Sequence, residues 1–209
     1  MTSRTGAGGR LVEGKKTPAA SVVRPSPKCS GYVLAGGASR RMGRDKALLP
    51  LGSRTMVEQI AIAVRNAAGD ATIIGPVERY AHLGFPVAPD KIENCGPLGG
   101  LYTALSITRA DWNLLVACDM PEVTATFLTQ LIAAAEGSDA DCLVPETDGK
   151  LDPLCAVYHA RVAAAAESAI HRKLFKMQDF ISTLRTSRWP VLDPRPLSNV
   201  NTPSEWTAR

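Results

Sequence analysis

The short apolar run Gly31–Leu34 passes without a linker into Ala35-Gly36-Gly37, and four basic residues follow by position 46. Few chains can use that order. A strand of this length is stable only inside a sheet, and two adjacent glycines let the backbone turn sharply at its end and expose its N–H groups. The strand has to lie in a sheet whose carboxyl edge carries a loop able to approach an anion closely.

The rest of the chain supplies that sheet. The spacing predicts strands over 71–74, 85–88, 112–118, 141–144, 154–158 and 189–192. Helical spacing predicts helices over 56–68, with Thr55 as N-cap, from Pro97 to about 108, over 124–136, over 160–169 and over 173–184. Thr124 or Glu122 caps the third of these. Strands alternating with helices imply an α/β fold: a three-layer, Rossmann-like arrangement with a mostly parallel central sheet and helices on both faces. Ligands in such folds bind beyond the carboxyl ends of the strands. The loops after Leu34, Ile74, Ala88 and Cys118 are therefore the places to seek a site.

Residues 1–28 mix Gly, Pro, Ser and Thr with six basic residues and one acidic residue, and they show no apolar periodicity. They read as a disordered basic N-terminal tail, with one compact domain over 29–209. The net charge of +4 resides in this tail, since the remaining residues sum to −1. The basic balance is thus no sign of a nucleic-acid surface. No apolar run approaches the roughly 18 residues of a membrane span, and the start lacks the continuous apolar core of a secretory signal. Five cysteines without a CxxC pair, and three histidines without HExxH, exclude the common zinc and redox motifs and read as reduced thiols in a cytoplasmic protein. His159 and His171 read as surface helix residues rather than catalysts.

The segment Leu34–Lys46 reads LAGGASRRMGRDK. It is neither GxxxxGK[ST] nor GxGxxG, which disfavours P-loop enzymes and dinucleotide oxidoreductases. Donors from Gly36 and Gly37, with Arg40, Arg41 and Lys46, match what a triphosphate requires: oriented N–H groups and cations that neutralise developing charge. The bland reading of these residues alone is a solvated basic turn. Asp119, at the carboxyl end of the 112–118 strand and facing this loop, has the position and the hard oxygen donors of a Mg²⁺ ligand. The same residue type also serves as a simple turn aspartate. Asn199-Val200-Asn201-Thr202-Pro203 reads as a turn and helix start.

Taken whole, LAGGxSxRMGxDK followed by LLPLGxxTMVE resembles the N-terminal signature of the molybdenum cofactor guanylyltransferases, nucleotidyltransferases of glycosyltransferase-A-like fold. Further motifs follow in order: Asp90 before Gly96-Pro97-Leu98-Gly99-Gly100, then Cys118-Asp119-Met120-Pro121, Asp152-Pro153-Leu154 to Tyr158, and the NVNTP of 199–203. The resemblance implies that Leu34, Ala35, Gly36, Gly37, Lys46, Asp90, Gly96, Pro97, Leu98, Gly99, Gly100 and Asp119 bind the nucleotide. It implies catalytic roles for Lys46, Asp119, Arg40 and Arg41, and Mg²⁺ on Asp119. Asn199 and Asn201 become acceptor or metal contacts. The chain departs from the pattern at Gly75, where many members place an asparagine against the nucleotide.

The implied activity is transfer of GMP from GTP to molybdopterin, with Mg²⁺ as cofactor and release of pyrophosphate. The implied partners are GTP and molybdopterin, with no nucleic acid or membrane. Other cofactor-biosynthesis or molybdoenzyme-maturation proteins are a further class of partner. Gly36 favours GTP because cytidylyl relatives resemble LAAG there. Two alternatives stay open: guanylyl or cytidylyl transfer to another phosphorylated small molecule, and a non-catalytic nucleotide-binding module.

Overall fold

The computed structural model describes residues 28–36 and 45–200. Gly37, Arg40, Arg41 and Asn201 lie outside the described residues, as does most of the N-terminal tail.

The strands are β1 (Cys29–Leu34), β2 (Pro50–Leu51), β3 (Arg54–Thr55), β4 (Thr72–Ile74), β5 (Val87–Ala88), β6 (Trp112–Ala117), β7 (Cys142–Thr147), β8 (Lys150–Leu151), β9 (Cys155–His159) and β10 (Thr186–Pro190). The helices are α1 (Met56–Ala68), α2 (Val77–Tyr80), α3 (Gly96–Ile107), α4 (Ala125–Glu136), α5 (Ala163–His171) and α6 (Met177–Ile181). One sheet runs in the order β10-β7-β9-β6-β1-β4-β5, with β8 paired to β7, while β2 and β3 form a separate hairpin. β5, β4, β1 and β6 are mutually parallel, and so are β7 and β10. β9 runs antiparallel between β6 and β7. Helices cover both faces.

The alternation of side chains along each strand divides the core in two. Val33, Ile73, Leu114 and Val116 pack on one face with the α1 residues Met56, Val57, Ile60 and Val64 and the α4 residues Leu128 and Leu131. Tyr32, Ile74 and Leu115 pack on the other with Leu98, Leu101 and Leu105 of α3, and with α5 and α6. The buried positions of α1 recur with helical spacing. Its start is fixed as the sequence predicts, for the Glu58 carboxylate accepts from the Thr55 N–H at 2.7 Å and the Thr55 hydroxyl at 2.6 Å. Thr124, rather than Glu122, caps α4, accepting from the Phe127 N–H at 3.2 Å.

Several expected boundaries move. The helix expected over 173–184 is reduced to α6, because Lys173 takes a left-handed conformation (φ 60°) and the Leu174 N–H folds back to the Ala169 carbonyl, closing α5. The helix expected from Ala160 begins with a 3-10 turn, Ala160–Val162, before α5. β10 lies earlier than the expected 189–192 because its pairing with β7 starts at Thr186↔Cys142. His159 is the last residue of β9 rather than a helix residue, and its Nδ1 accepts from the Arg161 N–H at 3.2 Å. His171 ends α5, exposed. Among the described residues no helix is long and apolar enough to cross a membrane.

Candidate active site

The carboxyl ends of β1, β4 and β6 stand side by side, in the register Leu34↔Ile74 and Leu34↔Ala117. The segments leaving them diverge and open a cleft of about 230 Å³. Leu34, Ala35 and Gly36 form its wall after β1, Ile74 its wall at the end of β4, and Ala117, Cys118 and Asp119 its wall after β6. Asp90, Gly96, Pro97, Gly100 and Leu154 also line it, and Asp45, Lys46 and Ala47 complete the lining.

Two close approaches make this geometry possible. A Cβ at Gly100 would meet Leu34 Cδ2 at 2.5 Å, so the glycine lets the first turn of α3 sit against the end of β1. A Cβ at Gly75 would stand 2.6 Å from the Ala35 carbonyl oxygen. The glycine thus lets the strand-end backbone of β1 settle over β4. The Gly75 N–H is itself used within the sheet, donating to the Ala88 carbonyl at 2.9 Å, and Gly75 does not line the cleft.

Lys46 reaches across the cleft, its Nζ 3.2 Å from Asp119 Oδ2. It rides on the 3-10 turn Lys46–Leu48, which Asp45 caps by accepting from the Ala47 N–H at 3.1 Å. The other oxygen of Asp119, Oδ1, is buried and has no hydrogen-bond partner among the described residues. A buried carboxylate oxygen left unpartnered is costly unless a ligand completes it. No group of three or more His, Cys, Asp or Glu side chains arranged for a metal occurs among the described residues. The orphaned Asp119 oxygen fits a divalent cation that this carboxylate would help to hold.

Asp90 follows β5 and is set by its neighbour: the Lys91 N–H donates at 2.9 Å to the buried Thr103 hydroxyl, which itself donates to the Gly99 carbonyl at 2.9 Å. Burial, with Glu93 adding to it, pushes the Asp90 carboxyl above its ordinary range, and its Oδ1 is also buried without a partner among the described residues. The Cys118 thiol, half-buried rather than hidden, is pushed up to about 12 by burial and then by the carboxylates of Asp119 and Asp45. It stays a thiol at neutral pH and is a poor nucleophile. The other four cysteines are buried and free, as expected.

Of the residues singled out from the sequence, the structure brings Leu34, Ala35, Gly36, Lys46, Asp90, Gly96, Pro97, Gly100 and Asp119 together around one cleft. Leu98 and Gly99 do not join them: Leu98 is fully buried in the core, and a Cβ at Gly99 would press on Cys95 Cβ and the Ile92 carbonyl. Asn199 is exposed and does not line the cleft, although the adjacent Val200 N–H donates to the Asp119 carbonyl at 2.9 Å. Asp45, Ala47, Ile74, Ala117, Cys118 and Leu154 line the cleft without having been singled out as site residues. Asp45 stands directly before Lys46 in the RDK triplet, where an aspartate two residues before a backbone N–H is a recognisable cap.

The family model for the MobA-like NTP transferase domain matches residues 31–187. A relative from Pelotomaculum thermopropionicum named "Probable molybdenum cofactor guanylyltransferase" is 35% identical over 186 residues, covering 85% of this chain and 90% of its own. One of the same name from Mycobacterium marinum is 34% identical, covering 86% and 92%. Among solved structures, molybdopterin-guanine dinucleotide biosynthesis protein A from Archaeoglobus fulgidus superposes with a TM-score of 0.72 at 24% identity, covering 86% of this chain and 95% of that one. A 2-C-methyl-D-erythritol 4-phosphate cytidylyltransferase from Thermus thermophilus shares the fold at a TM-score of 0.64 and 15% identity, covering 85% and 95%.

Proposed function

Since this chain belongs to the MobA-like NTP transferase family, as one of its molybdenum cofactor guanylyltransferases, we propose that its cleft transfers GMP from GTP to the terminal phosphate of molybdopterin. A phosphate oxygen of the acceptor attacks the α-phosphorus in line. The bond from that phosphorus to the α,β-bridging oxygen breaks, and pyrophosphate leaves with the electron pair. Reactions of this kind ask the protein for positioning and charge neutralisation rather than for a covalent intermediate.

The observation that carries this reading is the Lys46–Asp119 pair, 3.2 Å apart at the mouth of the β1 and β6 strand ends, with Asp119 Oδ1 unpartnered beside it. Lys46 holds triphosphate oxygens and, with Arg40 and Arg41, offsets the charge that builds on the leaving group. Asp119 would hold Mg²⁺, which would neutralise phosphate oxygens when bound. Gly36 and the amino-terminal turn of α3, beginning at Gly96 and Pro97, bring backbone donors and a helix dipole to the nucleotide. Asp90 contacts the nucleotide. The Val200 N–H donates to the Asp119 carbonyl, and Asn199 and Asn201 are assigned contacts to the metal or the acceptor. Residues 29–209 form the catalytic domain, and residues 1–28 lie outside the chemistry.

Incubating the protein with GTP, Mg²⁺ and molybdopterin should release one pyrophosphate for each molybdopterin guanine dinucleotide formed. Pyrophosphate release that does not depend on molybdopterin would overturn the choice of acceptor, and no release at all would overturn the reaction.

A further inference from the structure

We propose that Tyr80, which does not line the cleft, is a positioning residue that fixes the Lys46 ammonium through Asp45. The proposal rests on the reading of Lys46 as a triphosphate cation. The Tyr80 hydroxyl donates to Asp45 Oδ2 at 2.9 Å. Asp45 Oδ1 accepts from the Ala47 N–H at 3.1 Å, and the Asp45 carbonyl accepts from the Leu48 N–H at 3.1 Å. The one residue between these contacts is Lys46, so the carboxylate that Tyr80 grips is the clamp on the turn that aims Lys46 at Asp119. Arg79 adds a longer and more exposed contact to the same Asp45 oxygen, at 3.4 Å.

The same segment also secures the opposite flank of the glycine-rich loop. The Ala35 N–H donates to the Ile74 carbonyl at 2.9 Å, and Ala35 sits over Gly75 where any side chain would collide with it. The Tyr80 ring lies under that glycine too, with Cε2 only 2.9 Å from where a Cβ would be. Residues 74–80 therefore hold both Ala35 and Asp45, the two sides from which the basic loop departs and returns.

Packing alone does not explain the hydroxyl. Tyr80 is 1% exposed, and a phenylalanine would fill that volume without burying a polar group that must be satisfied. Burial first, and then the hydrogen bond to Asp45, hold the phenol well above its usual range. It remains a donor throughout neutral pH and gives Asp45 a permanent partner. The bond thus serves Asp45, and through it the direction of Lys46.

The test is a double-mutant cycle on kcat and on KM for GTP, with thermal melting as the folding control. Tyr80→Phe is expected to lower kcat about tenfold with little change in KM, because a small displacement of Lys46 acts at the transition state. Asp45→Asn, which keeps only one of the two oxygens that accept from the Tyr80 hydroxyl and the Ala47 N–H, should fall at least as far. In a Lys46→Ala background, Tyr80→Phe should have no further effect on kcat, whereas a purely structural role would lower both backgrounds equally. Normal kcat in Tyr80→Phe while Lys46→Ala is impaired, or equal losses in both backgrounds, would overturn the positioning role alone. Normal turnover in Lys46→Ala would overturn the reading of Lys46 and this proposal with it.

Discussion

Lys46 Nζ and Asp119 Oδ2 lie 3.2 Å apart, one carried on the turn that follows the basic loop and the other on the turn that follows β6. Both side chains are mostly buried, 14% and 24% exposed, so desolvation of the two charges offsets much of their attraction and the pair adds little net stability to the fold. Its value lies in the reaction. Lys46→Ala and Asp119→Ala should each lower kcat by about 10²-fold or more, on the order of 3 kcal/mol. The melting temperature should fall by no more than a few degrees. Steady-state kinetics at saturating Mg²⁺ beside thermal melts decide the matter. A variant of Asp119 that unfolds would make this aspartate a structural turn residue.

At the opposite end of the sheet, Asp141 accepts from the Arg161 Nε–H at 2.7 Å and the Arg185 Nη2–H at 2.9 Å. Hydrogen bonds from Arg185, backed by Arg161, hold its carboxyl well below the usual carboxylate range. A carboxyl whose folded-state value is depressed stabilises the fold above its unfolded value of about 3.9. That contribution is lost as the pH falls toward the folded value. Asp141→Asn should therefore cost about 1–2 kcal/mol at pH 7, and the gap from wild type should narrow steadily below about pH 4. Urea unfolding at pH 7 and at successively lower pH measures this directly. A constant gap would mean that Asp141 is not the linked group.

Gly75→Ala adds a methyl group where the Ala35 carbonyl oxygen stands 2.6 Å away. Overpacking of this kind costs about 1–3 kcal/mol. Because the displaced group is the backbone at the cleft wall, KM for GTP should rise as well. Gly137→Ala, where the nearest atom to the new methyl would be 3.9 Å away, is the control and should leave KM unchanged. Equal KM values for Gly75→Ala and wild type would show that the close approach of β4 to β1 does not shape the site.

Removing residues 1–27 should leave melting temperature and turnover within error of the full chain. Lys28 is best retained, since its carbonyl accepts from the Trp112 N–H at 3.1 Å at the start of the β1–β6 pairing. Loss of most activity on truncation would place the tail in the chemistry.

The sequence makes much of this site readable because its parts are local. A strand running into glycines, and a carboxylate at the end of an apolar run, each announce themselves within a few residues, and Lys46, Asp90 and Asp119 all come to the cleft. The GPLGG string is legible only in part. A helix turns about 100° per residue, so Gly96, Pro97 and Gly100 face the cleft while Leu98 points into the core and Gly99 packs on Cys95. Helical periodicity applied to that string would have separated them. The role of Asp45 was hidden because its partner, Tyr80, is 35 residues away, and no spacing rule connects them. The late helix reads too long in the sequence because the left-handed turn at Lys173 carries neither glycine nor asparagine to mark it.

The central claim, guanylyl transfer in this cleft, is tested most directly by the base. With molybdopterin saturating and Mg²⁺ present, kcat/KM for pyrophosphate release should be measured with GTP and with CTP under identical conditions. The account predicts a preference for GTP of about 10⁴-fold, the discrimination expected of a site that hydrogen-bonds one base and leaves its polar groups unpaired with another. Equal values for the two nucleotides would contradict it.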